Sequence, residues 1–118
     1  MARFSTPLLR VTPIPGDRGR RLALDGELDL ATTPILQAGF DDAERHEDPV
    51  VELDLTHLQF VDASGLKAML SEHRRSIRRG GRGLSLLNPS TDIRRLLSLT
   101  AIDLTIAVDR DPAAPAAV

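Results

Sequence analysis

The residues best placed to do chemistry sit together in Asp62-Ala63-Ser64-Gly65. Within Val50–Leu70 an alternating strand ends at Leu55, a loop follows, and Phe60-Val61 leads into that tetrapeptide at the mouth of an amphipathic helix. A serine there has two physical uses. Its hydroxyl can act as an N-cap, accepting from first-turn N–H groups that lack a partner, with Asp62 as one more polar loop residue. The same free N–H groups and positive dipole end also tolerate a phosphate, which would make the hydroxyl a modification site. Spacing alone does not choose between them.

Few other residues form a chemical constellation. The chain has no cysteine, which removes disulfide scaffolds, thiol catalysis, iron–sulfur clusters and cysteine-zinc sites together. His46, His57 and His73 show no ligand spacing, so no metal site is expected, and His73, at an inward or bordering helix position, reads as a packed histidine. Gly80, Gly81 and Gly83 fit a helix end and a turn, without the Lys and Ser/Thr of a phosphate-cradling loop. Ser64 lies in no G-x-S-x-G elbow. No catalytic residue and no cofactor is expected, and the chain does not read as an enzyme.

The run Arg74-Arg75-Ser76-Ile77-Arg78-Arg79-Gly80-Gly81-Arg82 is the obvious basic cluster. It has no interleaved aromatic residue for base stacking, and it falls on the polar side of a helix, so it reads as a solvated or protein-docking face. Fifteen basic against seventeen acidic residues, a net charge of -2, also argue against direct nucleic-acid binding by the whole chain. Asp41, Asp42 and Glu44 are expected on the exposed side of an earlier helix.

These groups must be held by a scaffold of 118 residues. With 42% apolar and 27% charged residues, and only Phe4, Phe40 and Phe60 aromatic, the chain fits one globular domain with an aliphatic core. No run approaches the roughly eighteen apolar residues of a spanning helix, and MARFSTPLLRV lacks a signal-peptide apolar stretch. A cytoplasmic protein without membrane contact is expected.

Alternation marks strands at Leu8–Val11, Leu22–Leu24, Val51–Leu55, Leu84–Leu86 and Leu104–Val108. The first helix opens at Thr32 or Thr33 with Pro34 in its first turn, and buries Ile35, Leu36, Gly39, Phe40 and Ala43. The second begins near Ser64, places Leu66, Met69, Leu70, His73 and Ile77 on one side and stops at Gly80-Gly81. Ser90 or Thr91 caps a short third helix with Ile93, Leu96 and Leu97 inward. Residues 1–7 form an N-terminal loop segment and 110–118 a flexible C-terminal tail.

The order β-β-α-β-α-β-α-β implies an α/β fold with a mixed sheet of about five strands, a hairpin first and right-handed parallel crossovers after it. Alternating strands, rather than continuous apolar runs, place the helices on one face and leave the other largely solvated.

The stretch DLTHLQFVDASGLKAML, with Gly26-Glu27-Leu28-Asp29 upstream and Pro34 soon after, resembles the STAS domain, named for sulfate transporters and anti-sigma factor antagonists. The resemblance covers residues 8–109, and it carries its own expectations. In bacterial antagonists of this family the serine directly before the glycine, here Ser64, is phosphorylated by an anti-sigma factor with serine kinase activity. The unmodified antagonist binds that factor and frees the sigma factor; phosphorylation breaks the complex and a phosphoserine phosphatase restores it. The family's acidic positions fall on Asp62 and Asp29. ATP and magnesium belong to the kinase.

Two departures from the family pattern stand out. Ala63 replaces a second hydroxyl residue found in many relatives, leaving Ser64 as the acceptor. Lys67, the chain's single lysine, stands in the first turn where a cation is mildly disfavoured. Three positions from Ser64, it is expected to salt-link the phosphate or meet an acidic patch on the partner, against the plain alternative of a solvated lysine. The expected partner surface joins Asp62, Ala63, Gly65, Lys67 and Ser71 to the Asp29–Thr33 segment. A second role compatible with the resemblance is a STAS adaptor subunit of a membrane lipid-transport complex.

Overall fold

The computed structural model describes residues 4–16 and 19–109. In chain order the elements are β1 (Phe4–Ser5), β2 (Leu9–Gly16), β3 (Gly19–Leu28), α1 (Thr33–Arg45), β4 (Val50–Val61), α2 (Ala63–Arg78), β5 (Ser85–Leu87), α3 (Thr91–Leu99), a 3-10 turn (Ile102–Leu104) and β6 (Ala107–Asp109). They form a six-stranded sheet whose spatial order equals the sequence order. β1, β2 and β3 pair antiparallel, and β3 through β6 pair parallel. Each parallel step passes through a helix, and right-handed crossovers that advance in one direction put α1, α2 and α3 on one face.

The side chains obey that arrangement. Leu9 and Val11 on β2, Leu22 and Leu24 on β3, and Leu53 and Leu55 on β4 are buried beneath the helices, together with Leu36 and Phe40 of α1 and Leu66 and Met69 of α2. Their neighbours Arg10 and Asp25 are exposed, and Arg21 and Glu52 form a cross-strand ion pair at 3.3 Å. Gly39 lets α1 approach closely: a Cβ there would lie 3.1 Å from Leu22 Cδ1.

β4 extends six residues past the expected end at Leu55. Against β3 it carries an extra residue between the pairs Ala23↔Asp54 and Asp25↔His57, and another between Gly26↔Leu58 and Glu27↔Phe60. Such bulges break the period of two, so Leu55, Leu58 and Val61 are all buried at a spacing of three. The strand therefore does not read as one in the sequence.

Other expectations need correction. Phe4–Ser5 adds a short edge strand where a loop was expected. The last strand begins at Ala107, because Leu104 lies in the 3-10 turn and is 85% exposed while Ile106 is buried. Ile77 is also exposed, so the inward stripe of α2 ends at His73. Asp42 is not on the exposed side of α1. It is buried and accepts from the Arg20 guanidinium at 3.1 Å, an ion pair that ties α1 to β3. The expected C-terminal tail lies outside the described residues.

Candidate functional site

β3 and β4 are parallel neighbours that end in register, Leu28 opposite Val61, so the turns leaving them lie side by side at the C-terminal end of the parallel strands. The first turn is built by Asp29 and Thr32. Asp29 Oδ1 accepts from the backbone N–H groups of Ala31 and Thr32, both at 3.0 Å, and the buried Thr32 hydroxyl donates to Glu27 O at 2.9 Å. Gly26 fits β3 against β2 with φ of 120°, where a Cβ would lie 2.1 Å from Leu8 O.

The second turn is Asp62. Its N–H donates to Leu28 O at 3.1 Å, its Oδ1 accepts from Gly65 N–H at 3.0 Å, and its Oδ2 accepts from Leu30 N–H at 3.3 Å. Asp62 is thus the N-cap of α2, a role that leaves Ser64 out. Ser64, the second residue of α2, is half-buried, and among the described residues none hydrogen-bonds its hydroxyl. Gly65 is the close contact that seats the helix: a Cβ there would lie 2.7 Å from Val61 Cγ2 and 2.8 Å from Leu28 Cγ.

Of the residues singled out in the sequence, Asp29, Thr33, Asp62, Ala63, Ser64, Gly65 and Lys67 come together at this end of the strands, and Ser71 follows one turn further along α2. Ala63, Lys67 and Ser71 are exposed; Asp29, Thr33 and Asp62 are half-buried, and Gly65 is buried. Asp29 and Asp62 spend hydrogen bonds on the scaffold itself, so they shape the turns. Two apolar neighbours were missed, Leu30 at 75% exposure and Phe60 at 48%. The only signal for Leu30 was a leucine beyond the strand end, and the β4 bulges hid the outward direction of Phe60.

Several of the remaining candidates are tied into the fold. Glu44 of α1 accepts from Arg75 at 2.8 Å and from Arg79, so part of the basic run clamps α2 to α1. That hydrogen bond from Arg79 is the chief reason the Glu44 carboxyl is held below the usual carboxylate range, and the guanidinium is raised in return. Glu72, half-buried beside them, is raised because burial disfavours its charge. His73 Nδ1 accepts from Leu84 N–H at 3.0 Å, which fixes the Nε2–H tautomer and joins α2 to the start of β5. Among the described residues no three His, Asp or Glu side chains gather as metal ligands, and no helix is long and apolar enough to cross a membrane.

The sequence profile described as "Mlab, STAS domain" matches residues 16–107. The chain belongs to the STAS domain family. A curated relative, the "Anti-sigma F factor antagonist" of Paenibacillus polymyxa, is 30% identical over 80 residues, covering 67% of this STAS domain chain and 68% of the relative. The fold is that of two solved structures. One, an anti-sigma factor antagonist from Mycobacterium paratuberculosis, superposes with a TM-score of 0.73 at 21% identity over 89% of each chain. The other, the anti-sigma factor antagonist SpoIIAA in its unphosphorylated form, gives 0.65 at 24% identity over 83% of this STAS domain chain and 86% of its own.

Proposed function

We propose that this STAS domain is an anti-sigma factor antagonist switched at Ser64. The unphosphorylated form binds an anti-sigma factor with serine kinase activity and releases the sigma factor; phosphorylation of Ser64 ends that binding, and a phosphoserine phosphatase resets it. The chain is substrate and regulator rather than catalyst, works in the cytoplasm, and needs no cofactor of its own. Residues 8–109 form the functional domain. The partner surface comprises the exposed side of α2 from Ala63 through Lys67 to Ser71, with the turn Asp29–Thr33.

One observation carries this reading: the Ser64 hydroxyl has no partner among the described residues, because Asp62 does the capping. A phosphate there displaces no hydrogen bond of the fold, so binding can be switched without unfolding. It adds roughly -1.5 to -2 charge beside Asp62 and Asp29, and must be desolvated in any complex. A discrimination of ~3–4 kcal/mol corresponds to about 150- to 800-fold in affinity.

The test is binding of Ser64→Asp and Ser64→Ala to the kinase-type anti-sigma factor of the source organism. The aspartate variant should lose the complex and the alanine variant should keep it permanently. If both bind as the wild type does, and the chain instead copurifies with a membrane transporter, the adaptor role replaces this one.

A further inference from the structure

The outward side of α2 carries Lys67, Ser71, Arg74 and Arg78 at spacings of i, i+4, i+7 and i+11, all four exposed. They form one straight stripe about 16 Å long. Its cations are unpaired: among the described residues Lys67, Arg74 and Arg78 have no carboxylate partner, whereas Arg75 and Arg79 on the flank are held by Glu44. A chain of net charge -2 thus keeps a line of free positive charge on one helix side and uses its nearby glutamate elsewhere.

We infer that this stripe is a docking surface for an acidic protein segment, a strand or helix presenting Asp and Glu at matching intervals. Charge complementarity selects the occupant. A nucleic acid is disfavoured because none of the three phenylalanines lies on α2, which leaves bases no aromatic ring to stack on there. A lipid surface is disfavoured because the apolar side of α2, Leu66 and Met69, is already buried against the sheet, which leaves Ile77 as the large aliphatic residue exposed on α2. The inference rests on the preceding reading only for which protein brings the acid; the charge geometry stands without it. Under that reading the acidic segment belongs to the anti-sigma factor, and a phosphate on Ser64 competes with it for Lys67.

The experiment needs neither kinase nor anti-sigma factor, so its failure and the failure of the Ser64 switch are separate results. A labelled polyglutamate peptide long enough to span the stripe is titrated at low and physiological salt against the wild type, Arg74→Gln/Arg78→Gln, Lys67→Gln, and Arg10→Gln on the opposite side of the sheet. Thermal melts confirm that each variant is folded. Salt-sensitive binding that weakens about fivefold in the double variant, less in Lys67→Gln and not in Arg10→Gln supports the inference. No binding at low salt, or equal binding by all four proteins, overturns it. Tighter binding to phosphatidylglycerol vesicles or to duplex DNA, lost in the same double variant, also overturns it in favour of that ligand.

Discussion

Asp62 accepts the backbone N–H of Leu30 at 3.3 Å, across 32 residues of sequence, while its other oxygen caps α2 through Gly65. One carboxylate therefore fixes the helix that carries Ser64 and the turn beside it. Asp62→Ala should destabilise the fold by about 1–2 kcal/mol, seen as a lower thermal midpoint, and should speed amide exchange at Leu30 and Gly65. Asp62→Asn, which still offers an oxygen to the helix, should lose less.

Gly65 and Gly80 separate crowding from backbone freedom. A Cβ at Gly65 meets Val61 and Leu28 below 3 Å, whereas Gly80, at φ of 84°, has nothing within 4 Å. Gly65→Ala should cost about 1–3 kcal/mol by displacing α2 from the sheet, and should weaken anti-sigma factor binding as well. Gly80→Ala should cost about 1 kcal/mol through backbone strain alone and leave binding unchanged. Urea titrations with a parallel binding assay distinguish the two.

The Arg20–Asp42 pair is the most buried ion pair among the described residues, with side-chain exposures of 15% and 5%. Without Asp42 the Arg20 guanidinium keeps Asp48 as a carboxylate partner at 3.2 Å, so Asp42→Ala should lower stability by about 1–3 kcal/mol, and Asp42→Asn by less. Chemical denaturation measures both.

Glu44 and Glu72 should respond to pH with opposite signs. The lowered Glu44 carboxyl stabilises the native state above the ordinary carboxylate pKa, a contribution lost as pH falls through its lowered value. The raised Glu72 carboxyl does the reverse: the native state holds that proton more tightly, so stability falls as pH rises from the ordinary value through the raised one. At neutral pH, Glu44→Gln should therefore lower the thermal midpoint and Glu72→Gln should raise it. Both differences should shrink in acid.

The sequence was most legible where local chemistry decides the structure. Ser90 marks the start of α3, its Oγ accepting from Ile93 N–H at 3.2 Å as a cap should; Thr32 stands at the start of α1 but caps nothing with its side chain, which donates to Glu27 O instead. The core stripes Leu36–Phe40 and Leu66–Met69 follow helical period. Legibility failed where distant residues decide. The burial of Asp42 depends on Arg20, 22 positions away. The length of β4 depends on bulges against β3, and these also hid Phe60. Asp62, rather than Ser64, caps α2, a choice set by the geometry of the strand end.

The central claim is that charge on one hydroxyl controls partner binding without changing the fold. Titration calorimetry of the kinase-type anti-sigma factor against unmodified protein and protein fully phosphorylated at Ser64, with matched circular dichroism spectra, tests it most directly. The phosphorylated form should bind at least about 100-fold more weakly, with superimposable spectra. Equal affinities, or weak binding accompanied by loss of helical signal, would contradict it.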